Sequence, residues 1–221
     1  MTPRRSGTTS TDDEDHARRR RRMVERQLRA RGIEDERVLA AMGEVPRERF
    51  VPPEVQRRAY RDGALQIAEG QTISQPWIVA FMTAVLELDG PERVLEVGTG
   101  SGYGAAVISR CCREVVTIER HRALADAARA LIGELGYDNV EVRHGDGAEG
   151  APDHAPFDGI AVTAASTGEP PPALMRQLAP EGLLVCPVQR GGRELLSRFR
   201  KDGDAEALVP VRFVPLVSGD A

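Results

Sequence analysis

The chain lacks most of the features that mark secreted, membrane-bound or polyanion-binding proteins. Its 221 residues hold three cysteines, Cys111, Cys112 and Cys186, an odd number with no C-x-x-C spacing. This argues against a disulfide framework and a zinc site, and predicts reduced thiols, no metal and a cytoplasmic location. No apolar run approaches the roughly 20 residues of a membrane span. The polar N-terminus has no apolar centre of the kind found in signal peptides. The net charge is −4, so there is no general excess of positive charge to hold nucleic acid or an anionic membrane. No internal repeat is present, and the length suits one α/β domain with modest additions. A monomer is expected.

What is present centres on Val94 to Gly104, V-L-E-V-G-T-G-S-G-Y-G. Val94, Leu95 and Val97 form the short apolar run of a strand buried on both faces. Gly98, Gly100 and Gly102 follow, and Tyr103 to Arg110 suits a helix. Strand, glycine turn and helix together form a nucleotide-binding turn, in which the backbone approaches a ligand and the helix start offers free N–H groups. Position 103 is Tyr where a dinucleotide fingerprint has its third glycine, which disfavours a dehydrogenase. No Walker-type lysine follows the glycines, which disfavours a nucleoside triphosphate. Glu96, inside the strand, suits a cationic ligand better than a pyrophosphate.

The rest of the chain supports an α/β reading. Residues 1–22 are polar and are expected to be a disordered tail. Its run Arg18 to Arg22 reads as a solvated entry to the first helix, offset by the acids between Asp12 and Asp15. Residues 23–217 read as a single domain. Within it, 23–90 form a helical cap and substrate loop, 91–190 the cofactor-binding core and 191–217 a C-terminal β segment, with 218–221 as a tail. Gly32 is expected to stop a first helix, and Asp35 to cap a second carrying Val38, Leu39 and Met42 inward. The loop Gly70 to Pro76 leads into a helix running through Phe81, Val85 and Leu88, with Ser74 or Gln75 as its cap. Val115 to Ile118, Val140 to Val142, Phe157 to Thr163 and Leu183 to Pro187 read as further strands. Leu124, Ala128, Leu131 and Leu135 mark the inner face of a helix. Two last β runs, Glu194 to Arg200 and Ala207 to Val214, flank Asp202-Gly203-Asp204. Strands that alternate with helices and then end in a hairpin predict a mostly parallel, Rossmann-like sheet with an antiparallel edge and an N-terminal helical cap.

Ligands of such sheets bind at the carboxyl ends of the strands. Glu119 follows Gly98 by 21 residues, where an acid reads the two ribose hydroxyls. Asp146, between Gly145 and Gly147, sits on a loop suited to touching a base. Glu96, Glu119 and Asp146 define an acidic pocket that reads ribose, and an adenosine with a positively charged tail fits it. S-adenosylmethionine is that molecule.

The stretch from Met23 to Leu216 also resembles the protein-L-isoaspartate O-methyltransferases. The resemblance rests on M-V-E-R-Q-L-R-A-R-G-I at 23–33, V-P-R-E-R-F-V-P at 45–52 and G-Q-T-I-S-Q-P at 70–76. It continues through V-L-E-V-G-T-G-S-G-Y at 94–103, G-D-G at 145–147, F-D-G-I-A-V-T-A-A at 157–165 and V-R-F-V-P-L at 211–216. It implies a methyltransferase that uses S-adenosylmethionine to esterify the free carboxylate of isoaspartyl residues in damaged proteins, a repair activity. It places Ser74 in the active site, and Thr72 beside it suits the same task of holding a carboxylate. Glu96, Gly98, Thr99, Gly100, Gly102, Glu119, Arg120, Asp146, Gly147 and Thr163 are assigned to the cofactor. Gln71, Ile73, Pro76, Trp77, Val214, Pro215 and Leu216 are assigned to the peptide. The chain departs from the family's pattern at Trp77 and Ile78, at Ser166-Thr167-Gly168 and at Gln189-Arg190.

Three rivals remain. A tailoring enzyme would esterify Asp in one dedicated precursor peptide, with the basic N-terminus as a leader-binding element. A nucleic-acid methyltransferase is disfavoured because Thr163-Ala164-Ala165-Ser166 stands where an amino-methylating enzyme has (N/D)-P-P-(Y/F). A cofactor-binding interaction protein without turnover is opposed by Thr72, Ser74 and the intact glycine motif.

Overall fold

A computed structural model describes residues 9–219. In chain order its helices and strands are α1 (Thr9–Met23), α2 (Glu36–Glu44), β1 (Leu65–Gln66), β2 (Thr72–Ile73), α3 (Pro76–Ala84), β3 (Arg93–Val97), α4 (Tyr103–Ser109) and β4 (Glu114–Glu119). They continue with α5 (Arg122–Glu134), β5 (Val140–His144), β6 (Phe157–Val162), β7 (Ser166–Thr167), α6 (Pro172–Gln177), β8 (Leu178–Arg190), β9 (Arg193–Arg200) and β10 (Ala205–Pro210). The main sheet runs β10-β9-β8-β6-β3-β4-β5, with β7 attached to β8. Pairings among β8, β6, β3, β4 and β5 are parallel, and those of β8 with β9 and β9 with β10 are antiparallel.

β3 lies at the centre because the chain leaves it in both directions. β4 and β5 build outward on one side, while β6 and β8 build on the other. The reversal opens a crevice beyond the carboxyl ends of β3, β4 and β6. Alternation along the strands supplies two cores, one on each face. Val94, Val115, Leu183 and Val185 pack with the N-terminal helices, α4 and α5. Leu95, Val97, Val116, Ile118 and Leu184 pack with Phe157, Leu174 and Phe199. Fully burying such a side chain contributes about 1.5–3 kcal/mol. Glu96 pairs with Thr117 in register, and the period of two turns both toward the face that α4 covers.

The N-terminus departs from the sequence expectation. From Thr9 the chain is helical rather than a disordered tail; residues 1–8 lie outside the described residues. The helix forms because its arginines find acids at helical spacing. Arg18 and Arg19 pair with Asp15, while Arg20 reaches inward to Tyr60 and Glu48. After Met23 it loosens into a π-helical turn, Val24–Leu28, then tightens over Arg29–Arg31, and Gly32 ends it in the left-handed conformation. Asp35 caps α2 by accepting from Arg37 N (2.9 Å) and Val38 N (3.1 Å).

Other boundaries also move. α3 ends at Ala84, not Leu88, and neither Ser74 nor Gln75 caps it with a side chain. α5 buries Leu124, Ala125, Ala128 and Ile132, leaving Leu131 and Leu135 partly exposed. β10 ends at Pro210. Beyond it, Val214 to Leu216 run as an extended strap along Ala165, with Ala165 N donating to Val214 O and Leu216 N donating to Ala165 O. Of the expected C-terminal tail, Gly219 N donates to Asp146 (2.7 Å), and residues 220 and 221 lie outside the described residues.

Candidate active site

The glycine turn is held from two sides. Gly98 N donates to Ile118 O (2.8 Å), bending the chain off β3 toward β4. Gly98 has φ +96, and a Cβ there would strike the Thr163 hydroxyl, so only glycine fits. That hydroxyl lies 2.9 Å from both the Val97 and Gly98 carbonyls and pins the turn to the end of β6. Glu119, buried at the end of β4, accepts from Gly100 N (2.8 Å) and His121 N (3.0 Å). One carboxylate thus fixes the middle of the turn and the entry to α5.

Glu96 lies beneath the turn and is 1 % exposed. Thr117 donates its hydroxyl to the Glu96 carboxylate (2.6 Å), and the Thr99 hydroxyl pairs with that of Thr117 (2.7 Å). A Cβ at position 104 would collide with the same carboxylate, so Gly104 is what lets α4 close over it. Burial pushes Glu96 up to about 8, against the downward pull of the Thr117 hydrogen bond, and the charge on Glu119 adds to the rise. A cation bound beside Glu96 favours its ionised form and expels its proton. Affinity for such a ligand is therefore expected to increase as pH rises toward about 8 and then to level off. Titration calorimetry with S-adenosylhomocysteine, run in buffers of differing ionisation enthalpy, would read both the affinity and the released proton. A flat profile with no proton release contradicts the assignment. In the unliganded protein the sign is opposite. A raised carboxyl pKa stabilises the fold below the ordinary carboxyl range, and that stability is lost as pH rises toward about 8.

Two cavities meet over the turn, of about 750 and 350 Å³, and both are walled by Thr72, Gly98, Gly100, Thr163 and Val214. Ile73, Ser74, Glu96, Thr99, Tyr103 and Arg212 also line the larger one. Gln71, Glu119, Arg120, Gly147, Pro215 and Leu216 also line the smaller one. Arg120 additionally reaches Val217 O (3.4 Å), tying the strap across that cavity. Among the described residues the hydroxyls of Thr72 and Ser74 engage no protein partner.

Four expected site residues stand elsewhere. Gly102 caps the start of α4 in the left-handed conformation (φ +88) beside Ile132 and Ala128 of α5, so it serves the helix start rather than the cavity wall. Asp146 does not line either cavity; its carboxylate accepts from Ala148 N (2.8 Å) and Gly219 N, leaving neighbouring Gly147 at the wall. Pro76 is buried at the first turn of α3. Trp77 turns away, stacked on Phe81 at 4.8 Å with the Arg31 guanidinium over its ring, and Ile78 faces the larger cavity instead.

Sequence reasoning missed Arg47. Its side chain is wholly buried, donating from Nε to Ala59 O and from Nη2 to Ser74 O, both at 2.7 Å, with its guanidinium 4.7 Å from the Tyr103 ring centroid. It therefore locks the Ser74 loop to the segment after Pro53. Within V-P-R-E-R-F-V-P nothing separates Arg47 from exposed Arg49. Arg47→Ala would orphan the buried Ala59 carbonyl and the half-buried Ser74 carbonyl, and unfolding in denaturant is expected to show a loss of about 2–4 kcal/mol. A loss within error of zero refutes the strut.

Strand order that reverses at β3, with an acid poised at the end of the next strand, is the Rossmann-like arrangement of S-adenosylmethionine-dependent methyltransferases. The donor set suits that cofactor: Glu119 and Gly147 flank a cavity fit for ribose and purine, and buried Glu96 offers a carboxylate to a cationic end. Residues 18–221 match the family Protein-L-isoaspartate(D-aspartate) O-methyltransferase (PCMT), and the chain belongs to that family. It is 55 % identical over 196 residues to the Protein-L-isoaspartate O-methyltransferase of Roseiflexus castenholzii, covering 86 % of this chain and 88 % of that protein. The corresponding protein of Pelotomaculum thermopropionicum is 52 % identical over 221 residues, 98 % of this chain and 96 % of the relative. A solved protein-L-isoaspartate O-methyltransferase superposes with TM-score 0.79 at 31 % identity, covering 90 % of this chain and 66 % of that one. A proposed protein-L-isoaspartate O-methyltransferase of Plasmodium falciparum, solved with S-adenosyl-L-homocysteine, superposes with TM-score 0.78 at 26 % identity, over 90 % of this chain and 98 % of that one.

Proposed function

We propose that this chain methylates the free carboxylate of L-isoaspartyl residues in damaged proteins, with S-adenosylmethionine as donor, and so starts their repair. The observation that carries the reading is the meeting of two cavities over one glycine turn. One holds the ribose-reading acid Glu119, and the other holds the unengaged hydroxyl of Ser74.

When bound, S-adenosylmethionine supplies a methyl group activated on a sulfonium. The chain's own residues supply position and dryness. Glu119 accepts from ribose hydroxyls, Thr163 and Gly98 hold the turn, and Glu96 offers charge to the amino-acid end. Gly100 and Thr99 line the passage, and Arg120, Pro215 and Leu216 keep water from the smaller cavity. Ser74 and Thr72 donate their hydroxyls to the substrate carboxylate, which is already ionised at neutral pH and needs no general base. Neutral donors align an oxygen without withdrawing its charge, as a close cation would, and alignment is the larger part of the barrier they lower. Ile73 and Val214 flank the peptide, whereas Gln71, Pro215 and Leu216, expected there, line the smaller cavity instead.

The same reading makes the enzyme a cytoplasmic monomer acting on proteins rather than nucleic acid or membranes. Cys111, Cys112 and Cys186 are free and buried, and burial pushes each thiol up to about 12, away from reactivity. The test uses peptides that differ only in Asp versus isoAsp, with methyl-labelled donor. Base-labile label is expected in the isoAsp peptide alone. Equal transfer to both, or to neither, overturns the reading, and transfer to a single precursor sequence would favour a tailoring enzyme.

A further inference from the structure

The arginine run of the N-terminus is divided by the helix, and one face of it has no counterpart in the site described above. Arg18 and Arg19 turn to Asp15, and Arg20 turns inward to Tyr60 and Glu48. Arg19, Arg22 and Arg26 share one face at spacings of three and four, and that face opposes Arg57 and Arg61 across a cavity of about 550 Å³ floored by Tyr60 and Met23. The guanidinium groups of Arg22, Arg26, Arg57 and Arg61 make no hydrogen bond or ion pair among the described residues. The one acid among the described lining residues, Asp62, is already occupied by Arg31 (3.1 and 3.2 Å) and by the Gln75 amide. Four uncompensated guanidiniums around one concavity repel each other, and a bound oxyanion relieves that repulsion with charge-assisted hydrogen bonds.

The cavity is linked to the active site by direct contacts. Asp62 lines it and accepts from Gln75, which lines the larger active-site cavity. Arg47 joins Ala59, next to the floor residue Tyr60, to Ser74. A polypeptide whose isoaspartyl residue sits at Ser74 continues on either side of it, and a flank that runs past Gln75 reaches this cavity.

We propose that the Arg22, Arg26, Arg57 and Arg61 cavity is a substrate subsite for carboxylate side chains flanking the isoaspartyl residue, giving the enzyme a preference for acidic segments. The proposal rests on the isoaspartyl methyltransferase reading. Its test compares isoAsp peptides with one core and a flank of either glutamates or glutamines, placed before or after the isoAsp. In the wild-type enzyme one glutamate placement is expected to lower KM by about five- to tenfold at low salt with kcat unchanged. High salt should erase the gain. Arg22→Gln/Arg26→Gln and Arg57→Gln/Arg61→Gln should each abolish it while methylating the glutamine-flanked peptide as the wild type does. These residues are exposed, so the variants should fold. A flank preference that survives in both double variants, or no preference in either placement, overturns the subsite. Competition by a single-stranded oligonucleotide that is stronger than by the glutamate peptide and lost in the variants also overturns it, in favour of nucleic acid. Failure of the parent reading looks different, because then the wild type leaves the glutamine-flanked isoAsp peptide unmethylated as well.

Discussion

Ser74→Ala is expected to lower kcat by about 10- to 150-fold while changing S-adenosylmethionine affinity by no more than about twofold. The magnitude follows from a hydrogen bond to a charged group, worth about 1.5–3 kcal/mol, when that bond aligns the reacting oxygen. The selectivity follows from placement. Ser74 lies outside the smaller cavity that Glu119 lines. In the larger one it shares only the end that holds Glu96, so its hydroxyl is proposed to meet the substrate carboxylate rather than the ribose or purine. Its carbonyl is anchored by Arg47, so the loop keeps its path when the hydroxyl is removed. Single-turnover rates with an isoAsp peptide, set beside calorimetry with S-adenosylhomocysteine, separate the two effects. An unchanged rate would remove Ser74 from the reaction. A rate and affinity that fall together would make Ser74 part of the turn's scaffold instead.

Glu119→Ala should produce the reverse pattern, a loss of cofactor affinity of about 100-fold or more with a smaller loss of saturated rate. Two charge-assisted hydrogen bonds to ribose hydroxyls account for about 3 kcal/mol, which is roughly two decades in Kd. The substitution also releases Gly100 N and His121 N, so the turn loses its internal brace. Glu119→Gln separates the contributions, because it retains one acceptor oxygen for the brace but loses the negative charge. An intermediate affinity is expected for it by calorimetry with S-adenosylhomocysteine. If Glu119→Ala binds within about threefold of the wild type, the acid does not read ribose.

These predictions draw on residues that the sequence exposed to different degrees. Glu119 was legible because strand, glycine turn and helix have fixed lengths, so an acid 21 residues after Gly98 falls at the end of the neighbouring strand. Ser74 and Thr72 were legible only through the family's loop motif, since hydroxyls in a polar loop carry no periodic signal. Asp146 and Trp77 show the limit of such reading. A loop position tells which residues come near a site but not which way a side chain turns. Asp146 was captured by Ala148 and the C-terminal segment, and Trp77 by Phe81 and Arg31.

The N-terminus shows the same limit from the other side. A polar stretch with a run of five arginines, Arg18 to Arg22, has no apolar face to predict a docked helix. It docks because Arg20 and His16 find Glu48 and Tyr60 across about 30 to 45 residues of intervening chain, and long-range pairing leaves no local pattern.

By itself the sequence determined the parallel sheet, the glycine turn at its centre and the acid at the end of the neighbouring strand, because each follows from short-range periodicity and spacing. Only the tertiary structure decided that Glu96 is buried under Gly104 with its carboxyl pushed up to about 8, that Arg47 braces the Ser74 loop, and that guanidiniums from two distant segments face one cavity. Burial, charge and convergence belong to neighbours in space, and the chain folds those neighbours together from positions that share no local pattern.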